Sequence, residues 1–422
     1  MPDVIVEVDS RPVEIEVGVG PETLRDILTA IEAARARAAG YGISDPLLAT
    51  AFIDASVEAD FAQGIYRRGH VLSTSILALQ GWTFTRTGAG TAPTAADGVV
   101  SFATGAPRIT DVGLTVETAT TNILPFSQQL DDASWSKIGA VAVTANSAYA
   151  PDGTLTADRL QLGAAAAYVS KTTSGGLTAG APVTFSFWAR GTGTIGVRSG
   201  ATAVSPVTRV LTSTWQRFSW TFNGGTSEVF QLTNNNLVPG ASATIDADIW
   251  GVQVEGRSYA SSYVPTTTAA ATRAKDDASF VVAASEGGVF VDVNLPAHAP
   301  PSGSQALASW SNGSDRHLML VRTAANMLLL ILYKPDGIVQ ASVAGFGGAR
   351  RLKAFFGWGA GQMVWAVDGV ERTASPLPLP LNLSIVRPGS DFVSTDKLSG
   401  SVRRLLIATR LPTLAQRIAM TA

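Results

Sequence analysis

Residues 183–190 read VTFSFWAR. Val183, Phe185 and Phe187 fall on one parity and Thr184, Ser186 and Trp188 on the other, which is the period-two alternation of a β-strand. Residues 215–222 (WQRFSWTF) and 249–255 (IWGVQVE) repeat the texture. From about residue 50 onward, short strands of this kind recur roughly every 8 to 12 residues between Gly, Pro, Asn and Asp turns. That pattern belongs to sandwiches and jelly rolls, not to a parallel α/β sheet. The expected fold is mainly β: tandem β-sandwich or jelly-roll domains.

Working outward, a second set of strands is expected at 288–293, 318–322, 327–333, 363–367 and 401–408, with Asp368-Gly369 as a tight hairpin turn and 412–422 as a short closing helix. The small, polar stretch 266–274 (TTTAAATRA) reads as a joint between the two sandwiches. Toward the N-terminus, residues 4–19 (VIVEVDSRPVEIEVGV) alternate as a one-face-buried strand broken near Arg11-Pro12. Pro21 then suits the first turn of a helix. In the helical stretch after it, Leu24, Leu28, Ile31, Arg35 and Ala38 keep heptad spacing. Two heptads make a marginal coiled coil on their own. Leu24, Leu28 and Ile31 are therefore read either as the seam of a short oligomerisation and attachment element or as the inner face of a helix packed on its own domain. The expected division is 1–45 (N-terminal strand and amphipathic helix), 46–125 (β-rich connecting region), 126–272 (first sandwich) and 273–422 (second sandwich).

Composition narrows the function. With 422 residues there is length for two or three cores, and with no cysteine those cores stand without disulfides or thiolate chemistry. Lys and Arg total 31 against 33 Asp and Glu. No basic excess exists to neutralise a phosphate backbone, so nucleic acid is not an expected partner. Mean hydropathy is +0.21, yet the most apolar run, 327–333, falls far short of the ~20 residues of a membrane span. No membrane insertion is expected. The N-terminus lacks a basic n-region and an apolar h-region, so no secretory signal is expected either.

Residues 114–160 resemble a segment recurrent in phage tail-fibre and head-spike proteins. The marks are Glu117 to Asn122, Trp135, and Ala150-Pro151-Asp152-Gly153-Thr154 leading to Ala157-Asp158. Phe185 to Arg190, Trp215 to Phe218, and Gln253 to Glu255 through Ser262 to Thr266 resemble a carbohydrate-binding-module sandwich, while the C-terminal part is similar to a laminin-G or concanavalin-like jelly roll. One departure is Thr120, which stands where the family carries an arginine before Thr-Asn. The resemblance implies a virion adhesion protein of a phage or gene-transfer-agent-like particle, made in the bacterial cytoplasm. It further implies a homotrimer docked through its N-terminus on a head, vertex or tail protein, with its sandwiches facing a host surface glycan. The alternatives are a polysaccharide-degrading tailspike-type enzyme and a purely structural head or tail component.

The chemistry favours binding. Gly191 to Gly196 (GTGTIG) matches a dinucleotide fingerprint, but no helix follows to supply free N–H groups, and the stretch reads as a sandwich loop. His70, His298 and His317 have no metal-ligand spacing, and no G-x-S-x-G elbow occurs. Asp246 and Asp248 share a strand face and are the candidates for a calcium site. No other cofactor and no catalysis are expected. Sugar binding asks for an aromatic platform beside amide, guanidinium or carboxylate groups. Trp188, Asn235 in the run Asn234 to Asn236, and Trp310, Asn312, Arg316 and His317 around one polar turn are the candidates.

Overall fold

The computed structural model describes residues 4–8 and 11–15 and, from 55 onward, all residues except 70, 174, 203, 296–303, 326, 344–349, 377–380 and 393–396. The expected N-terminal strand is two, Val4–Val8 paired antiparallel with Arg11–Ile15, and the break expected at Arg11-Pro12 falls inside the second of them. Leu24, Leu28 and Ile31 lie outside the described residues, as do His70 and His298. No described helix is long and apolar enough to cross a membrane. The described chain is mainly antiparallel β and forms tandem sandwiches.

Two compact units divide the chain, one nested in sequence within the other. The nested unit is Thr85–Thr110 with Glu117–Asp276; the flanking unit is Met1–Phe84, Asp111–Val116 and Asp277–Ala422. The stretch 46–125, expected as a separate connecting region, is instead shared out between these units. Strand pairing over hundreds of residues, which no local pattern encodes, produces this difference.

In the nested unit one sheet runs in the order Val141–Ala148, Ala157–Leu162, Ile245–Glu255, Pro182–Thr192, Gln216–Asn223. The other runs Ser136–Ile138, Tyr168–Thr172, Val229–Thr233, Thr194–Ser199, Val207–Val210. Their facing side chains interlock, with Val183, Phe185 and Phe187 from the first sheet against Val169, Phe230 and Leu232 from the second. Phe185 and Phe230 meet edge-on at 5.2 Å. Gly191 to Gly196, read from the sequence as a loop, is mostly strand: Gly191 and Thr192 end one strand, Thr194 to Gly196 begin the next in the opposite sheet, and Gly193 alone lies between them. A bulge opposite Ser186 and Trp188 shifts the parity of the central strand. Gly251 sits there at φ 63°, where an added Cβ would stand 3.0 Å from the Trp188 ring.

A buried charge cluster ties the loops of this unit together. Arg108 donates from Nη1 to Glu117 at 2.8 Å and from Nε to Asp276 at 3.2 Å, and Arg273 reaches Glu117 at 3.1 Å and Asp276 at 3.4 Å. Arg86 adds a further contact to Asp276 at 3.4 Å. Burial alone would raise the Glu117 pKa, but Arg108 and Arg273 outweigh it and hold the carboxyl well below its usual range. The stretch 266–274 is therefore not a free joint: Ala271–Arg273 pairs with Thr120–Asn122, and Arg273 keys into the cluster. Thr120, in place of the family's arginine, donates its hydroxyl to the buried Glu255 at 2.5 Å. Asn122 spends its amide on the backbone, donating to the carbonyls of Val252 and Val264 and accepting from the amides of Leu124 and Val254. The Thr-Asn motif is a clamp on two chain segments.

The flanking unit is a jelly-roll-like sandwich. One sheet runs Gly337–Val343, Leu328–Lys334, His317–Thr323, Ser304–Ser311, Leu383–Pro388, Asp277–Ala284, Trp82–Thr85. In the other, Gly400–Ala408 is central. Gly287–Leu295 pairs along one side of it, and Ala55–Asp60 and Gly113–Val116 share the other side end to end. Trp310 and Trp358 meet edge-on at 4.7 Å between the sheets. The turn Asp368-Gly369 has positive φ at both residues, 47° and 76°, as a tight hairpin requires. The closing helix Leu414–Thr421 starts with a capping box between Thr413 and Gln416, and Met420 joins Phe290, Phe355 and Leu406 on the outer face of the sheet.

Candidate functional site

The inner face of the sheet containing Pro182–Thr192 is fully occupied by the core, so any ligand chemistry in that sheet belongs to its outer face. That face has a closed end and an open end. At the closed end Trp188 and Trp250 pack at 5.2 Å and are covered by Tyr263 and Val99. The Arg217 guanidinium lies 4.4 Å over the Trp188 ring, which is only 6% exposed.

The open end carries polar side chains from three adjacent strands. Register places Arg159 opposite Asp248, Gln161 opposite Asp246, and Arg190 and Thr192 opposite the same two aspartates on the other side. Arg159 grips Asp246 with both Nε (2.7 Å) and Nη2 (2.5 Å), and Gln161 Nε2 donates to the same carboxylate at 3.2 Å. Arg190 Nε donates to Asp248 at 2.8 Å, while its guanidinium lies 4.9 Å from the centre of the Trp215 ring. Trp215 Nε1 donates to the Tyr149 carbonyl at 3.0 Å, holding in place a loop whose Tyr149 side chain is 66% exposed. The Arg159 hydrogen bonds hold the Asp246 carboxyl below its ordinary pKa. At the edge of this patch Gly191 keeps the strands close; a Cβ there would stand 2.3 Å from the Asp246 carbonyl.

An alternating row of guanidinium, carboxylate and amide groups beside a tryptophan and an exposed tyrosine can exchange hydrogen bonds with hydroxyls and meet C–H faces with π-faces. The strands beneath fix the spacing of the row.

Several candidates read from the sequence lie elsewhere. Trp188 is on the outer face, as its parity requires, but a second layer covers it, so it is a packing residue. Trp310 is 0% exposed, with its Nε1 bonded to the Val282 carbonyl at 3.2 Å, and closes the core of the flanking unit. Asn235 is exposed on its turn, while the neighbouring Asn234 is buried and bonds the carbonyls of Gly163, Ala165 and Ala243. Asn312 organises the turn that follows it, its Oδ1 accepting from the amides of Ser314, Asp315 and Arg316. Arg316 is half-buried, and His317, 5% exposed, stacks on Phe392 and lies 5.0 Å from the Tyr333 ring. Asp246 and Asp248, considered for calcium, each have an arginine partner. No group of three or more potential ligands gathers around a common point among the described residues.

Arg159, Gln161, Arg190 and Tyr149 are the site residues that sequence reasoning passed over. The signal for Arg159 and Gln161 was present in 157–162 (ADRLQL), where they occupy the polar parity of a one-face-buried strand.

No family model matches the chain, and no curated protein matches it. Solved structures with partial likeness include the Ruminococcus gnavus IT-sialidase CBM40 bound to α2,6-sialyllactose, at 16% identity over 32% of this chain and 83% of that one, TM-score 0.28. The enzymatically active domain of tailspike protein 4 of bacteriophage CBA120 matches at 16% identity over 32% of this chain and 21% of that one, TM-score 0.26. The binding domain of botulinum neurotoxin DC in complex with SialylT matches at 9% identity over 34% of this chain and 38% of that one, TM-score 0.28.

Proposed function

We propose that the chain is an adhesion subunit of a phage or phage-like particle that binds a host surface polysaccharide without cleaving it. The observation that carries the binding half is the open end of the outer face: Arg159, Gln161, Asp246, Asp248 and Arg190 in register beside Trp215 and Tyr149. The virion half rests on the resemblance of residues 114–160 to fibre and spike proteins. In this reading the N-terminal segment forms the trimer and docks on a head, vertex or tail protein. Binding without hydrolysis fits Asp246 of the patch. A general acid needs a raised pKa, and Asp246 is held low by Arg159.

The test uses particles and host cells. Particles carrying the Tyr149→Ala/Gln161→Ala chain should adsorb markedly more slowly than wild type. Normal adsorption by particles lacking the chain altogether would overturn the adhesion reading. New reducing ends released from host polysaccharide at catalytic rates would overturn the non-hydrolytic half.

A further inference from the structure

The charge state of the patch narrows its ligand class. Its two guanidiniums and two carboxylates balance: Arg159 with Asp246, and Arg190 with Asp248, at side-chain exposures between 21% and 48%. An acidic sugar placed on Arg159 or Arg190 would meet a guanidinium already paired with an aspartate, so the attraction it gains is offset by repulsion from that carboxylate. A neutral sugar meets no such conflict. Its hydroxyls can donate to Asp248, which accepts only from Arg190 Nε among the described residues. They can also accept from the remaining N–H groups of Arg190, which bond to no described residue.

The aromatic groups bear on the same choice. Arg190 covers one face of the Trp215 ring, which also packs against the cluster around Trp188 and Trp250, and Tyr149 stands exposed at the margin. The Tyr149 ring, with the exposed edge of Trp215 beside it, suits the C–H face of a pyranose, which supplies affinity without charge. The patch spans the strands that carry Arg159, Asp248 and Arg190 and extends to Trp215, three spacings of about 4.8 Å, enough for a short oligosaccharide lying across the sheet.

Resting on the glycan-binding reading above, we infer that this face recognises neutral hexose or deoxyhexose units, and that acidic sugars are not its ligands. The experiment immobilises laminaritriose, mannotriose and galactotriose beside 3′-sialyllactose and trigalacturonic acid, and measures binding of the full chain. Tyr149→Ala, Gln161→Ala and Trp215→Ala are run in parallel. Tyr149 and Gln161 are exposed, so their loss leaves the packing intact if Trp215→Ala does not fold.

The expected result is binding to one or more neutral glycans, weakened at least about tenfold by the variants. Between 0.05 and 0.5 M NaCl this binding should change less than roughly twofold, because no net charge is screened. Binding only to the acidic probes, salt-sensitive and lost in Gln161→Ala, would overturn the neutral class while leaving a glycan site on this face. If no variant alters binding to any probe, the site itself is wrong.

Discussion

Glu117→Gln probes the buried charge cluster with little change of shape. The amide keeps an oxygen for the Ser262 N–H, which donates at 3.0 Å, but removes the charge facing Arg108 at 2.8 Å and Arg273 at 3.1 Å. Both guanidiniums are at 0% side-chain exposure, so water cannot take the place of the carboxylate, and Asp276 is left facing three arginines. An intact buried ion pair is close to neutral in net stability because desolvation offsets attraction, whereas removing one partner costs about 3–5 kcal/mol. At roughly 2–4 °C per kcal/mol for a unit of this size, the nested unit should melt on the order of 6–20 °C lower. Calorimetry of the full chain at pH 7 gives the magnitude. Hydrogen exchange in peptides covering 117–122 and 262–276 shows whether the loss is local to the cluster. Arg108→Gln added to Glu117→Gln should cost less than the sum of the two single changes, since each removes the other's partner. A Glu117→Gln chain within about 1 kcal/mol of wild type, the worth of a surface pair, would refute the account of the cluster as mutually dependent charges.

Three further outcomes are expected. Because the folded-state pKa of Glu117 is depressed, its contribution is complete above its ordinary value of 4.5 and is lost as pH falls below that. Urea midpoints measured downward from pH 5 should drop for wild type and stay flatter for Glu117→Gln. Gly251→Ala forces a Cβ to 3.0 Å from Trp188 at φ 63°, and equilibrium unfolding should show a loss of about 1–3 kcal/mol. Burial lowers the pKa of His317 and outweighs the Arg316 backbone and the Asp315 and Asp391 carboxylates, which pull the other way. The neutral ring is therefore favoured in the fold, stability should fall as pH drops below about 6.5, and His317→Phe should flatten that slope in thermal melts.

Particular residues show how far the sequence could be read. Parity at 183–190 correctly separated Phe185 and Phe187 from Trp188, because side-chain alternation is a local property of a strand. Whether the second face is open or covered depends on segments distant in sequence, and so Trp188 could be assigned a face but not an exposure. Arg273 illustrates the same limit. Set among alanines and threonines it resembles part of a linker, and only its partners Glu117 and Asp276 reveal its role. Asp246 and Asp248 stood out as a same-face pair. Their neutralisation by Arg159 and Arg190 depends on which strands lie alongside, a choice that no pattern within any one strand expresses.

The split pairing of Gly400–Ala408 has a consequence for how the protein is made. Glu58 and Arg404, joined across that pairing, are 346 residues apart in sequence. During synthesis the strand Ala55–Asp60 can pair at once with Ile65–Arg68 along one edge, but its other edge waits until residues 400–408 emerge, and the nested unit can finish folding in the interval. Completion of the flanking sheet is thus a late event with a high loop-closure cost. A chain released before residue 400 would carry a finished nested sandwich together with an unpaired strand edge, which is a template for aggregation. Residues 400–408 therefore act as a check on integrity, since only a chain that includes them can cover the open edge of Ala55–Asp60.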